Sequence, residues 1–221
     1  MTVRTILITG FGRFPGSPVN PSGLVAKRLA RLRRPALSGT RRIAHVFATR
    51  YDAVDRELPV LLRREKPDIV VMFGVATHAR QVRIEGRARN RVSVLFPDAG
   101  GHRPTAHTIS QKTGPGGEAL RNPLPLARLV RAAGVAAVRS RNAGTYLCNY
   151  IYWRGLEAAG RRDGPIAVIF IHVPPIRFKK MPKRPRLGKR RTSARLGDLV
   201  RSGEAIMVAT LAAARQATGA V

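Results

Sequence analysis

The chain has 221 residues, 44% of them apolar, which is enough for a sizeable core and excludes an intrinsically disordered polymer. Lys and Arg number 41 against 12 Asp and Glu, a formal charge of +29, so anionic partners are favoured and basic ones disfavoured. No apolar run approaches the length of a membrane span, and one cysteine excludes an internal disulfide.

Residues 1–12 (MTVRTILITGFG) are short in their apolar part and lack a small-residue cleavage site, so a first strand is expected there rather than a signal peptide. The β-branched run 3–9 ends at Gly10, a buried-strand pattern. A loop rich in Gly and Pro follows, and Ser22 is expected to open a helix that ends before Pro35. Residues 41–49 alternate like a strand, and 51–65 carry helical spacing with Pro59 as a kink or late start. Residues 68–73 (DIVVMF) are expected to form a buried strand closed by Gly74.

The middle of the chain is less regular. Residues 81–96 suggest strands or a hairpin, and 97–121 suggest a long surface excursion. Asn122-Pro123 resembles a cap followed by proline at the first helical position, with the helix ending at Gly134. A strand at 135–140, a helix at about 145–160, an apolar strand at 166–173 and a last helix at 194–217 complete the order. Alternating strands and helices predict an α/β fold with a largely parallel sheet covered on both faces. One domain is expected across 1–221, with a basic linker at 174–192. Sites in such sheets form outside the carboxyl ends of strands.

Cys148 lies near the expected start of a helix, with Thr145 or Asn142 available to cap it. A thiol in a first helical turn meets unpaired N–H groups and the positive end of the dipole, which favours the thiolate. The plainer alternative is a buried packing cysteine. His172 ends the most apolar strand and precedes two prolines, so its imidazole needs a partner or an open cleft. A Cys–His pair can generate a thiolate, protonate a leaving amine and hydrolyse an amide through an acyl-enzyme. A third group commonly orients the imidazole, and Glu85 is the best candidate.

Four segments now support a resemblance: SRNAGTYLCN at 140–149, FIHVP at 170–174, EGRARN at 85–90 and TGFGRFPGSPVNPS at 9–22. They resemble, in order and spacing, the motifs of the pyroglutamyl-peptidase I family, cysteine peptidases that remove N-terminal 5-oxoproline from peptides. The resemblance spans nearly the whole chain. It implies a three-layer α/β/α sandwich around a largely parallel, mixed sheet, a Glu–Cys–His triad and often a homotetramer; no cofactor or metal is expected. By matching, Cys148 looks like the nucleophile, His172 the general base and acid, and Glu85 the group that orients His172. Phe11 and Phe14 match the aromatics that flank the oxoproline ring. The implied partners are small peptides with a blocked N-terminus; the single cysteine and the lack of a membrane span favour a reducing, cytoplasmic setting.

The chain departs from the pattern at several positions. The family's D-A-R-I-P-D segment is S-V-L-F-P-D at 93–98, with Ser93 and Leu95 replacing the acid and the arginine. The Gly-Gly after the second Phe is Pro15-Gly16. His78-Ala79 stands for a Gly-Arg step, and Pro175 for a Tyr. All are expected near the substrate cleft, where they would alter specificity and rate.

Rival readings have less behind them. Gly10 and Gly12 lack the third glycine of a dinucleotide loop, and no Walker lysine follows. His102 and His107 show no further metal-ligand pattern. The stretch 177–191 holds nine Lys or Arg in fifteen residues, either a solvated loop or an anion-binding arm. The competing function is a diverged family member acting as a basic anion-binding or nucleic-acid-binding protein. Base stacking draws little support, since Phe178 is the stretch's only aromatic.

Overall fold

The computed structural model describes residues 5–14, 19–111, 119–134, 137–176 and 194–219. In chain order the elements are β1 (Thr5–Phe11), α1 (Pro21–Ala30), a 3-10 turn (Pro35–Leu37), β2 (Arg41–Phe47), α2 (Tyr51–Glu65), β3 (Ile69–Val75) and β4 (Val82–Glu85). Then follow β5 (Arg87–Arg89), β6 (Ala119–Arg121), α3 (Leu126–Ala132), β7 (Ala137–Ser140), α4 (Leu147–Ala159), β8 (Ala167–Val173) and α5 (Leu196–Gly219). The basic stretch 177–191 lies outside the described residues.

Successive side chains of a strand point to opposite faces, and the apolar runs use both. Ile6, Ile8, Val71, Phe73, Ile169 and Ile171 face one way and pack against α1, α3 and α5. Leu7, Val70, Met72, Val168 and Phe170 face the other way and pack against α2 and α4. Strands buried on both faces become continuous Ile and Val runs, which is why β1, β3 and β8 are so apolar. The result is the expected three-layer arrangement around a mixed sheet.

The sheet order is β2-β1-β3-β8-β4-β7. β1, β2, β3 and β8 run parallel. β4 runs antiparallel to β8 and parallel to β7. Gly74 lies opposite His172 from one side, and Arg83 lies opposite it from the other. Glu85, two residues beyond Arg83, is therefore a diagonal neighbour of His172 on the same face.

Local chemistry explains the ends of the elements. Asn20 precedes α1, and its side-chain oxygen accepts from the Ser22 N–H at 3.1 Å, while Pro21 opens the helix. The helix α2 runs through Pro59 to Glu65 without a late start, and Lys66 at its end turns left-handed with φ 42°.

Three expectations need correction. β4 and β5 do not form a hairpin with each other: β4 joins the main sheet, and β5 pairs antiparallel with β6. Only Gly86 separates them, and its N–H is bonded to Ser140 O, so the chain steps from one sheet to another instead of reversing. The region 97–121 is more than a surface excursion, because Asp98 and Ile109 are buried and Ala119–Arg121 is a strand. Asn122 does not cap α3: its side chain accepts from Leu124 N–H at 3.0 Å, a local turn that postpones the helix to Leu126. None of the described helices is long and apolar enough to cross a membrane.

Candidate active site

Cys148 is the second residue of α4, inside its first turn as expected, but neither predicted cap serves the helix. Tyr146 occupies the cap position in an extended conformation and supplies no side-chain hydrogen bond. Asn142 instead accepts from Gly144 N–H at 3.1 Å and from the Arg89 guanidinium at 2.6 Å. Gly144 adopts φ +88°, which bends the chain into the helix and suits a residue without a Cβ. An uncapped first turn leaves N–H groups beside the sulfur free to receive an anion.

The sulfur reaches over β3 toward β8. A Cβ at Gly74 would stand 2.8 Å from the Cys148 sulfur and 2.7 Å from Phe170 Cζ, so the bare backbone there is what admits the thiol. Cys148 stands close enough to His172 for its charge to act on the imidazole. On the opposite ring edge, His172 Nδ1 lies 2.8 Å from Glu85 Oε1. That arrangement makes Nδ1–H the donor to the carboxylate and turns Nε2 toward the sulfur. Glu85 is fully buried and His172 is 6% exposed, so both are nearly shut off from solvent screening.

Burial, the largest influence on His172, pulls its pKa down, but Cys148, then the hydrogen bond and charge of Glu85, outweigh it and raise the value to about 9. The second oxygen of Glu85 is buried without a hydrogen-bond partner among the described residues, so the imidazole is the carboxylate's principal compensation. Tyr152 donates to the Glu85 backbone oxygen at 2.8 Å and fixes the strand end that carries the acid. Phe170 stands nearly edge-on to His172, with ring centroids 4.9 Å apart.

Cys148 and His172 open into a cleft of about 340 Å³ whose lining includes Phe11, Phe14, Tyr146 and Arg83. Phe11 is buried at the carboxyl end of β1, and Phe14 is half-buried in the loop beyond it. Burial, then Asp98 and Cys148, push the Tyr146 phenol up to about 12, so it stays neutral; its hydroxyl donates to Pro97 O at 2.9 Å.

The departures from the family pattern scatter more than expected. His78 and Ala79 line the cleft. Ser93 instead braces the approach to α4, its N–H on Thr145 O at 2.7 Å. Leu95 is 72% exposed and turned to solvent. Neither Ser93, Leu95 nor Pro175 belongs to the cleft wall. His102 packs edge-on against Tyr51, and the backbone oxygen of His107 accepts from Val92 N–H.

With this geometry in view, comparison with other proteins is decisive. The pyroglutamyl peptidase family model matches residues 4–214. The chain belongs to the pyroglutamyl peptidase family. A pyrrolidone-carboxylate peptidase of Bacillus subtilis is 32% identical over 175 residues, covering 77% of this chain and 78% of that one. Among solved structures, the pyrrolidone carboxyl peptidase of Thermococcus litoralis superposes with a TM-score of 0.84 at 27% identity, covering 97% of this chain and 96% of that one. The pyroglutamyl peptidase I of Bacillus amyloliquefaciens gives a TM-score of 0.75 at 28% identity, covering 96% and 97%.

Several polar residues within the pyroglutamyl peptidase motifs have structural tasks that sequence reasoning missed. Asn149, fully buried beside Cys148, accepts from Arg89 N–H at 2.9 Å and donates to Arg89 O and Arg91 O at 2.8 Å each. It ties β5 to α4, and with it the segment that follows Glu85. Asn90 accepts from Ile109 and Ser110 N–H, both at 2.8 Å. Ser22 accepts from Phe11 N–H at 3.0 Å, and Asn20 donates to Gly12 O at 3.0 Å, so the NPS end of the first motif holds the loop that bears the two phenylalanines. Their signal was present as buried-type Asn and Ser inside quoted motifs, but their partners are remote backbone groups.

Proposed function

We propose that this chain is a cysteine peptidase that removes 5-oxoproline from the N-terminus of peptides, with Cys148 as nucleophile, His172 as general acid and base, and Glu85 as the group that orients His172. One observation carries the reading: a sulfur in an uncapped helical turn opens into one cleft with an imidazole whose Nδ1 rests 2.8 Å from a buried carboxylate. Family membership over almost the whole chain supports the same reaction class.

The thiolate attacks the oxoproline carbonyl carbon, and the carbonyl oxygen becomes an oxyanion received by first-turn N–H groups of α4. His172, as imidazolium, gives its Nε2 proton to the leaving nitrogen as the C–N bond breaks, leaving a thioester on Cys148. A water then gives a proton to Nε2 and adds to the thioester carbon. The thiolate departs, and oxoproline is released as the free acid. Throughout, Glu85 holds Nδ1–H and compensates the imidazolium charge. Phe11 and Phe14 offer an apolar slot for a lactam that carries no ammonium, whereas an ordinary N-terminus would have to shed its hydration there without a counter-charge.

The direct test is turnover of a pyroglutamyl aminomethylcoumarin amide by the purified chain. Release of the fluorophore, stopped by equimolar iodoacetamide, is expected; absence of release from active-site-titratable protein sinks the reading. A second expectation concerns room for the sulfur. In Gly74→Ala the new methyl would press on Cys148 and Phe170 at 2.8 and 2.7 Å. Overpacking should cost about 1–3 kcal/mol of stability. Displacement of the nucleophile should lower kcat/KM about 100-fold, read from the same fluorogenic assay.

A cytoplasmic, reducing setting, favoured by the single cysteine, and a homo-oligomeric state, implied by the resemblance, remain part of the proposal; light scattering of the purified chain reads the second. Nothing in the described cleft favours the nucleic-acid-binding alternative.

A further inference from the structure

We propose that Arg83 receives a carboxylate on the first residue of the leaving group, so that the enzyme prefers pyroglutamyl substrates carrying a negative charge immediately after the scissile bond. This inference rests on the hydrolase reading above and extends it to the leaving side of the cleft.

The argument begins with strand order. Across the sheet, β1, β3, β8 and β4 are successive neighbours. Each contributes one feature to the same cleft: Phe11 from β1, the bare Gly74 beneath the sulfur from β3, His172 from β8 and Arg83 from β4. Strands lie about 4.8 Å apart, so the apolar slot, nucleophile, imidazole and guanidinium form a row spanning three such steps. The acyl ring belongs at the Phe11 end. The leaving nitrogen must lie toward His172, because His172 protonates it. The rest of the leaving residue then continues toward β4, where Arg83 stands directly opposite His172.

The chemistry of that wall is one-sided. Arg83 is half-buried and lines the cleft, and among the described residues its guanidinium has no hydrogen-bond or ion-pair partner. None of the described lining residues is Asp or Glu. A partly desolvated guanidinium with its donors open matches a carboxylate, which it can hold by two parallel N–H···O bonds. The free α-carboxylate of a dipeptide and the side chain of Asp or Glu present the same group, so both are candidate sources.

The test compares kcat/KM for three substrates: pyroglutamyl-alanine, pyroglutamyl-alaninamide and pyroglutamyl-aspartic acid α-amide, which keeps its side-chain carboxylate. The neutral alaninamide is the internal reference. In the wild-type chain, one or both acidic substrates should exceed it by about ten-fold or more, as expected for a hydrogen bond to a charged group. Advantage for pyroglutamyl-alanine alone assigns the main-chain carboxylate; advantage for the aspartyl substrate assigns the side chain. Arg83→Gln should collapse the ratio toward unity, Arg83→Lys should keep part of it, and added salt should erode it in the wild type. An unchanged ratio in a folded Arg83→Gln variant overturns the inference. Equal rates on all three substrates in the wild type overturn it while leaving the hydrolase reading intact. Failure to cleave any of the three or the coumarin amide overturns both.

Discussion

Cys148→Ser is expected to lower kcat/KM on a pyroglutamyl amide by about four orders of magnitude or more, with the fold unchanged. The exchange keeps the shape of the residue and the helix start, so circular dichroism and the thermal midpoint should match the wild type. What changes is the ease of ionisation. A thiol loses its proton near neutrality when a helix end and an imidazole assist it, whereas a serine hydroxyl has a far higher pKa and needs a base throughout the attack. The Cys148 sulfur shares its cleft with His172, which is placed to take and return a proton. Stopped-flow fluorescence measures the effect. A variant that keeps more than about a tenth of wild-type activity would remove Cys148 from the nucleophile's role.

The second large effect is expected at Glu85. Glu85→Gln should reduce kcat/KM about a thousand-fold, because the amide can present its NH₂ to Nδ1 and stabilise the wrong tautomer of His172. It should also move the pH profile. In the wild type, His172 is raised to about 9, so the imidazolium persists through neutral pH and the alkaline limb of kcat/KM should fall as pH passes that value. Glu85 is one of the groups that raise it, so neutralising Glu85 should shift the alkaline limb to lower pH. The same sign governs stability. A group whose folded pKa is raised contributes fully below its unfolded value of 6.5 and loses that contribution as pH rises through about 9. A Glu85→Gln profile with an unmoved alkaline limb would show that the acid does not act on His172.

The parts of the fold that were legible in the sequence are those in which burial and periodicity agree. β1, β3 and β8 are apolar because both of their faces are covered, and α1 begins where Asn20 and Pro21 provide its cap and first residue. β4 and β5 were obscure because Arg83, Arg87 and Arg89 alternate with apolar residues in strands of four and three residues, too short for a period to stand out. The starts of α3 and α4 were misplaced for one reason: Asn122 and Asn142 spend their side chains on local turns and leave other residues at the helix ends. Cys148, His172 and Glu85 could be named from motif and element order, yet nothing linear reveals that Glu85 arrives on a strand running against its neighbour. The unpartnered guanidinium of Arg83 was likewise invisible, since its neighbours in the cleft are remote in the chain.

The solitary thiol at the cleft has a cost that follows from its company. Cys148 is partly exposed, and the chain contains no second cysteine. If peroxide converts the sulfur to a sulfenic acid, no resolving thiol within the protein can capture it as an intramolecular bridge. Repair then depends on a small thiol entering through the substrate's own doorway, and a bound peptide would shield the sulfur from damage and from rescue alike.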